Sequence, residues 1–322
     1  MKRLFRDVPG GLLCAQGSVA CIGAFDGLHL GHQALLRHAA ARAQALGVPL
    51  VALGFEPLPR EVFARPPPAR LMLPRAKACG LFALGAHSVG LLRFDAAVAA
   101  MSAESFVREL LVQRLRAQEV WVGPGFRFGS RRGGDLATLH RLGSACGFDA
   151  AEIAPVLLDG ERVSSTRIRA ALAAGDFALA EQMLGRPYAI EGHVVHGAQL
   201  GRTLGFPTAN LRFGGKRPPL SGIFAARVHG VADAALPAVA SFGTRPTVDG
   251  DGEPLLEAHL FDFDGDLYGR RIAVEFVAKL REEARFDGLP ALVEQMRRDA
   301  LDARAILKEA PIPQAFPRQA HA

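Results

Sequence analysis

A chain of 322 residues is long enough for two domains with separate hydrophobic cores, and its hydrophobic fraction of 49% is ordinary for a globular protein. The formal net charge of +6 suits nucleic acid and polyphosphate ligands equally well, but the arginines form no clustered basic stripe, so we expect no nucleic-acid partner. The four cysteines include no Cys-x-x-Cys pair, which argues against a disulfide framework and a zinc site and predicts free thiols.

Neither a signal peptide nor a membrane span is predicted. Asp7 and Pro9 interrupt the apolar segment that a signal core would need. The longest apolar stretch, residues 79–92, is too short to cross a bilayer. We therefore expect a cytoplasmic protein without a membrane partner.

The first half of the chain alternates between strand and helix patterns. Buried-strand patterns cover residues 19–22, 48–55, 88–94, 119–123 and 151–156. Helical patterns cover residues 33–46, 76–84, 102–116, 135–146 and 164–174. This alternation predicts an α/β domain with a Rossmann-like parallel sheet, whose ligands bind at the carboxyl ends of the strands.

A glycine-rich turn, Gly-Ala-Phe-Asp-Gly-Leu-His-Leu-Gly-His at residues 23–32, follows the first buried strand. It leads into a helix, whose N-terminus offers free backbone N–H groups and the positive end of the helix dipole. His29 and His32 can donate hydrogen bonds to phosphate oxygens and stabilise charge at an α-phosphoryl group. The turn is therefore predicted to wrap a nucleoside triphosphate, with its remaining phosphate-binding positions at Gly23, Phe25, Asp26 and Gly31.

A second candidate phosphate segment begins the last helix of this half. Ser164, Ser165 and Thr166 can cap the helix and offer hydroxyl groups, while Arg167 adds positive charge. Alone, the segment suits a plain capped helix equally well. Together with the histidine turn, it is predicted to form the second side of a triphosphate clamp.

Another strand end, at residues 122–129, runs into a glycine-rich loop with two aromatic residues. Phe126 and Phe128 can stack on a planar ring. The alternative is that both rings are buried and hold the loop in place.

After Arg186 and Pro187 the pattern changes to short strands separated by Gly-, Pro- and Asp-rich turns. These strands cover residues 188–195, 223–228, 238–242, 255–263 and 271–277. They predict a small antiparallel β-barrel closed by a helix over residues 290–309. The expected domains are residues 1–184 and 185–310, followed by a Pro-rich tail at 311–322 that is predicted to be disordered.

The beginning of the second half carries a candidate phosphate and metal site. Its dense glycines let backbone N–H groups face a phosphate, and the predicted phosphate-binding residues are Gly197, Gly201, Arg202 and Gly205. Thr208 and Asn210 share a face if the segment is extended, and their oxygen donors suit Mg²⁺. A tight Gly/Pro turn without a ligand is the alternative.

Two further residues of the second half are candidates for chemistry. Glu257 lies within an apolar strand, where a carboxylate can act as a general base toward a hydroxyl group or simply occupy an exposed strand position. Arg281 and Phe286 precede the last helix and can cover a flat ring.

The ordered set of motifs resembles the bacterial bifunctional riboflavin kinase / FAD synthetase family over residues 19–308. The motifs at residues 23–32 and 164–169 also occur in other nucleotidyltransferases, whereas Pro-Thr-Ala-Asn at 207–210 is far more specific to riboflavin kinase. The motifs are residues 23–32, Phe-Arg-Phe-Gly at 126–129, Ser-Ser-Thr-Arg-Ile-Arg at 164–169, the segment 201–211, Gly-Thr-Arg-Pro-Thr at 243–247, Asp-Leu-Tyr-Gly at 266–269, and Leu-Arg at 280–281.

The resemblance implies two ATP-dependent reactions. In the C-terminal domain, the ribityl hydroxyl of riboflavin attacks the γ-phosphate of ATP to give FMN. Thr208 and Asn210 match the positions that hold Mg²⁺ and phosphate, Glu257 matches the catalytic base, and Arg281 matches a flavin contact. In the N-terminal domain, the FMN phosphate attacks the α-phosphate of a second ATP to give FAD and pyrophosphate.

In that second reaction, His29 and His32 match the adenylylation histidines, and residues 164–167 match the second phosphate segment. The resemblance also makes Phe126 and Phe128 the expected flavin-binding residues. Two positions depart from the family pattern: Gly125 stands where relatives usually carry Asp or Asn, and Leu58 stands where many carry His. The alternative is therefore a kinase-dominant enzyme whose FAD synthesis is weak because of Gly125.

Two other classes of protein are alternatives. A tRNA-charging relative would need a Lys-rich second motif and an anticodon-binding module, and residues 164–169 and the predicted barrel argue against it. A flavin- or RNA-binding regulator would turn over no ATP. The expected partners are riboflavin, FMN and ATP, and the chain is expected to be a monomer or a weak homo-oligomer.

Overall fold

The protein is described by a computed structural model at residues 2–197, 201, 204–214, 216–247 and 250–310. These residues form two compact units. The first contains the chain up to Pro68 together with Pro74–Ser165, and the second contains Ala69–Leu73 together with the chain from Thr166 onward. The division of the two functions at Leu184 stays a prediction.

The first unit contains a six-stranded parallel sheet, as the alternating pattern predicts. Its strands lie in the order β1-β4-β3-β2-β5-β6. They are β1 (Arg3–Phe5), β2 (Ser18–Ile22), β3 (Leu50–Glu56), β4 (Ser88–Arg93), β5 (Ala117–Val122) and β6 (Asp149–Glu152). Every residue of β2 is buried, because the central strand is covered on both faces.

Six helices accompany this sheet: α1 (Leu30–Leu46), α2 (Pro59–Phe63), α3 (Pro74–Ala83), α4 (Ala96–Ala100), α5 (Ala103–Phe106) and α6 (Leu136–Cys146). The side chain of Ser102 caps α5 and that of Asp135 caps α6, each by accepting a hydrogen bond from a backbone N–H group. The helix predicted over residues 102–116 changes after α5 into a π-helical segment, Val107–Arg114. The short pair β7 (Leu157–Leu158) and β8 (Glu161–Arg162) was not predicted.

The second unit contains a closed antiparallel barrel, which confirms the predicted fold class. Its strands follow the order β10-β13-β12-β11-β14-β9, and β9 pairs with β10 to close it. They are β9 (Ala189–Val195), β10 (Ala209–Arg212), β11 (Gly222–His229), β12 (Leu236–Thr247), β13 (Gly250–Leu260) and β14 (Arg271–Arg281).

In the described part of the second unit, three helices accompany the barrel: α7 (Ser165–Ala173), which begins at the last residue of the first unit, α8 (Phe177–Leu184) and α9 (Leu289–Glu309). The helix α8, which the sequence did not predict, places Phe177 against Phe224 and Phe276 of the barrel interior. The terminal helix α9 buries Ala303 against Ala225 on the outer face. Within the described ranges, no helix has the length and apolar composition that crossing a membrane requires.

Candidate active sites

The histidine turn lies where the topology of the parallel sheet predicts a ligand crevice. The strand β2 has β3 on one side and β5 on the other. The chain continues from β2 to β3 and β4 on the first side, and then crosses to β5 and β6 on the second side. Such a switch point opens a crevice beyond the carboxyl ends of the strands. The turn after β2 and the aromatic loop after β5 therefore border one crevice.

The backbone of the turn is unusual. Phe25 and Leu28 have φ values of 50° and 46°, although neither is glycine, and Gly27 between them has φ of 89°. Both side chains are buried, at 0% and 3% exposure, and this packing holds the left-handed conformations in place. Positive φ at bulky residues costs free energy and clusters at functional sites.

His29 is the N-cap of α1. Its Nδ1 accepts a hydrogen bond from the backbone N–H of His32 at 3.4 Å, and the two imidazole rings stack with centroids 3.7 Å apart. A Cβ at Gly31 would lie 3.1 Å from Cε1 of His29, so glycine gives the ring its space. The sequence thus folds both imidazoles onto the N-terminus of a helix, as predicted.

The surroundings of His32 favour its neutral form. Burial, followed by the nearby positive groups His29, Lys77 and Arg162, holds the pKa of His32 well below its usual value. Its buried Nδ1 has no hydrogen-bond partner among the residues that the structure describes. A neutral imidazole next to the free N–H groups of α1 can donate to a phosphate oxygen.

Asp26 and Ser165 join the turn to the second predicted phosphate segment. Asp26 is fully buried, and its backbone oxygen accepts a hydrogen bond from Ser165 Oγ at 2.9 Å. Ser165 begins α7, with Thr166 and Arg167 in its first turn and Ser164 directly before it. The buried Asp26 supports the shape of the turn, and its contact with phosphate stays a prediction.

The two predicted flavin-binding phenylalanines differ in burial. Phe128 is 7% exposed and belongs to the hydrophobic core of the first unit, whereas Phe126 is half-buried and stacks on it with centroids 5.4 Å apart. Phe126 therefore presents the more accessible ring.

Sequence reasoning missed an exposed aromatic residue near the same edge of the sheet. Phe63 of α2 is 66% exposed and lies edge-on to Phe94, which follows β4 and in turn contacts Phe55 of β3. The sequence did carry a signal for it, because Phe63 follows only a short distance after the end of the strand that contains Phe55.

Gly125 and Leu58, the two departures from the family pattern, occupy different surroundings. Gly125 is exposed with φ of 71°, and its N–H donates to Glu152 Oε2 at 2.9 Å. Leu58 is 5% exposed and precedes α2, where its N–H donates to Glu61 Oε2.

The kinase candidates lie in one row across the barrel wall. Asn210 of β10 is paired with Glu257 of β13, and Glu257 is paired with Ser241 of β12. Their neighbours Leu256 and Ala258 fill the barrel interior at 0% exposure. Because side chains alternate along a strand, Asn210, Glu257 and Ser241 share the outer face.

The amide of Asn210 has a setting that suits a metal ligand. Its Nδ2 donates to the backbone oxygen of Thr208 at 3.2 Å, and its buried Oδ1 accepts no hydrogen bond from any described residue. A Cβ at Gly197 would lie 2.7 Å from both Nδ2 and Oδ1. The oxygen is thus held by close packing and left available for a cation such as Mg²⁺.

The remaining predicted phosphate residues of this unit are only partly described. The Phe206 N–H donates to Gly201 O at 2.7 Å, which forms a tight turn, and Gly205 has φ of 83°. Arg202 lies outside the described residues.

Arg281 lies in the same row of the barrel wall. It pairs with Ile223, which pairs with Ser241, so a continuous register line joins it to Glu257. Its guanidinium donates to both carboxylate oxygens of Asp299 on α9, at 2.8 and 2.6 Å. The Cζ atom of Arg281 also lies 5.6 Å from the centroid of the Phe286 ring. The arrangement leaves a flavin contact at Arg281 as a prediction.

Comparisons with known proteins assign each unit. Residues 13–167 match the family model for FAD synthetase, and residues 184–307 match that for riboflavin kinase. Because both models match, a kinase-dominant chain is not favoured. A solved structure described as a macrolide-efflux protein from Streptococcus pneumoniae has a TM-score of 0.76 at 29% identity, over 94% of this chain and 98% of that one.

Curated relatives carry both names at once. The bifunctional riboflavin kinase/FMN adenylyltransferase of Pseudomonas fluorescens is 47% identical over 90% of this chain and 93% of its own length. The protein of the same name from Escherichia coli K12 is 45% identical over 90% and 92%. The chain belongs to the family of bifunctional riboflavin kinases/FMN adenylyltransferases.

Proposed function

We propose that the protein carries out the two activities of its family at two separate sites, riboflavin phosphorylation on the outer face of the barrel and FMN adenylylation at the turn after β2. The substrates are riboflavin, FMN and ATP, and the products are FMN and FAD. One observation carries the assignment: the stacked histidine pair at a helix N-terminus and the Asn210–Glu257 pair belong to different units.

At the turn, the FMN phosphate attacks the α-phosphate of ATP, and pyrophosphate leaves. The chain supplies no nucleophile, so its contribution is positioning and charge stabilisation. The N–H groups at the start of α1, with His29 and His32 beside them, bind the α-phosphate as negative charge grows on its oxygens. Ser164, Ser165, Thr166 and Arg167 bind the remaining phosphates.

On the barrel, Glu257 accepts the proton of the ribityl hydroxyl as that oxygen attacks the γ-phosphate. Thr208 and Asn210 would hold Mg²⁺, which neutralises phosphate charge when it is bound. The buried, unpartnered Oδ1 of Asn210 supports this assignment among the described residues. The glycine turn around Gly197, Gly201 and Gly205, with Arg202, holds the ATP phosphates.

Aromatic and cationic side chains would bind the flavin at each site. In the first unit, Phe126 offers a half-buried ring and Phe63 an exposed one, while Phe128 supports Phe126 from the core. In the second unit, Arg281 with Phe286 borders the register line of Glu257. We place the protein in the cytoplasm as a monomer or weak homo-oligomer with no nucleic-acid or membrane partner, which light scattering and fractionation would test.

The decisive experiment separates the two reactions by substitution. The protein is incubated with Mg-ATP and either riboflavin or FMN, and the flavins are separated by chromatography. His29→Ala should abolish FAD formation and leave FMN formation intact, whereas Asn210→Ala should abolish FMN formation and leave adenylylation of supplied FMN intact. Loss of both reactions from either folded variant would refute the assignment of two independent sites.

A further inference from the structure

A buried lysine lies behind the histidine turn, and the reaction as proposed does not use it. Lys77 is in the middle of α3, and its side chain is 0% exposed. Its Nζ lies 3.6 Å from Oε2 of Glu56, whose side chain is 8% exposed. Lysine is almost never fully buried, since the ammonium group loses its hydration. A pair enclosed this deeply therefore calls for a reason.

The positions of Lys77 and Glu56 in the fold connect this pair to the histidine turn. Glu56 is the last residue of β3, the strand that lies beside β2, so the carboxylate is at the same edge of the sheet as the turn. Gly80, on the same face of α3 as Lys77, packs against the turn so closely that a Cβ there would lie 2.3 Å from Leu28 Cδ1. The face of α3 that carries Lys77 is thus the face that supports the turn.

We propose that Lys77 is a positioning residue of FMN adenylylation, a fixed positive charge enclosed behind His29 and His32 that favours the triphosphate of ATP in front of them. This inference rests on the adenylylation site proposed above. Glu56 offsets the cost of burying the ammonium group and fixes where it lies. A charge that cannot move needs no reorganisation when phosphate arrives, and burial weakens its screening by water.

The charged groups around His32 support this role. The turn contributes His29 and the buried Asp26, α3 contributes Lys77, β3 contributes Glu56, and β8 contributes Arg162. After burial itself, His29, Lys77 and Arg162 each lower the pKa of His32. Lys77 is the one of these three that is fully enclosed, so its charge is the least open to screening by salt.

The test removes the charge of Lys77 together with the charge of Glu56, the carboxylate 3.6 Å from it. Lys77→Met alone would strand a buried carboxylate and destabilise the fold, so it is combined with Glu56→Gln. In this double variant we expect kcat/KM for ATP in FMN adenylylation to fall at least about tenfold, and the pKa of His32, followed by NMR of its ring, to rise. Riboflavin phosphorylation by the same molecules should stay within about twofold, since its site is in the other unit.

Two single variants complete the test. Lys77→Arg keeps the charge and should retain most adenylylation together with the lowered pKa of His32. Arg75→Gln changes an exposed cation on the same helix and should alter neither quantity. The proposal is overturned if the double variant keeps wild-type adenylylation and an unchanged His32 titration. If the double variant does not fold, a folded Lys77→Arg protein whose His32 titrates at the ordinary value overturns it instead.

Failure of the inference is distinguishable from failure of the proposed site. If His29→Ala abolishes FAD formation while the double variant behaves as wild type, the site stands and Lys77 is only structural. If His29→Ala retains FAD formation, the site itself is wrongly placed, whatever the lysine variants do.

Discussion

His29 and His32 have different tasks although they are three residues apart. His29 caps α1 through Nδ1, so its place is fixed by the helix it begins. His32 stacks on that ring, and its Nδ1 meets no partner within the described part of the chain. One histidine is therefore committed to structure as well as to binding, while the other keeps a nitrogen for a ligand or a bound water.

The lowered pKa of His32, a partly buried side chain, makes stability depend on pH. The pKa of His32 is lowered in the folded protein, whereas the unfolded chain titrates near the ordinary value of about 6.5. Below that value the unfolded state binds a proton at this residue and the folded state does not. The free energy of unfolding therefore falls as pH drops through about 6.5 toward the folded pKa. His32→Gln should reduce this loss.

The measurement is urea unfolding followed by tryptophan fluorescence between about pH 7.5 and 5.5. Trp121, the one tryptophan of the chain, lies in β5 and reports on the first unit. His140→Gln, a change at an exposed histidine of α6, is the control. An identical pH slope in wild type and His32→Gln would contradict the prediction.

A Gly125→Asn substitution tests whether the departure from the family pattern at this position limits FAD synthesis. Its φ of 71° is tolerated by asparagine, and no described atom lies within 4 Å of the point where a Cβ would be built. We expect Gly125→Asn to fold normally and to change the rate of FAD formation by less than about twofold, because the new amide would extend from an exposed position. A tenfold increase would instead favour the kinase-dominant alternative.

At the scale of secondary structure, local patterns and long-range pairing differ in what the sequence reveals. The strand β2, the turn and α1 were predicted because their signals, an apolar run followed by glycines and a helical repeat, are contiguous. The four-residue strand β10 was not, because it is defined by pairing with β9 and β13. The barrel register that sets Asn210 opposite Glu257 was likewise beyond local patterns.

Burial of individual side chains explains the other features that the sequence did not predict. Phe128 and Phe126 look alike in the sequence, yet one belongs to the core and the other borders the crevice. Lys77 reads as one polar residue in a helix, and only the packing of α3 on the turn encloses it. Sequence patterns give the type of element, whereas exposure of a given side chain depends on what packs on it.

The contact between β9 and β10 yields a prediction at this scale. Gly197, just after β9, touches the Asn210 amide, so Gly197→Ala should displace the proposed Mg²⁺ ligand. A displacement near 1 Å can cost about a hundredfold in rate, so we expect riboflavin phosphorylation to fall between about tenfold and a hundredfold. FMN adenylylation is measured in the same samples and should not change.

The control for this prediction is Gly11→Ala, at which a Cβ would have no described atom within 4 Å. It should leave both rates unaltered. Full kinase activity in Gly197→Ala would mean that the Asn210 amide can shift freely or that it takes no part in the reaction.

At the scale of the whole molecule, two complete sites on one chain predict complementation between molecules. A mixture of His29→Ala and Asn210→Ala proteins, given riboflavin and Mg-ATP, should form FAD, since FMN released by the first can be adenylylated by the second. The assay is chromatography of flavins over time, with each variant alone as the control. Accumulated FMN without FAD would show that FMN is not exchanged through solution.

The short segment Ala69–Leu73 belongs to the second unit although the chain on both sides of it belongs to the first. The Arg70 N–H donates to Arg217 O at 2.7 Å, far along the chain. A ribosome therefore completes the first unit by Ser165 but synthesises these five residues long before their partners exist. Splitting the gene at one point would leave the later product without them, so the two enzymes cannot be separated cleanly by a single cut.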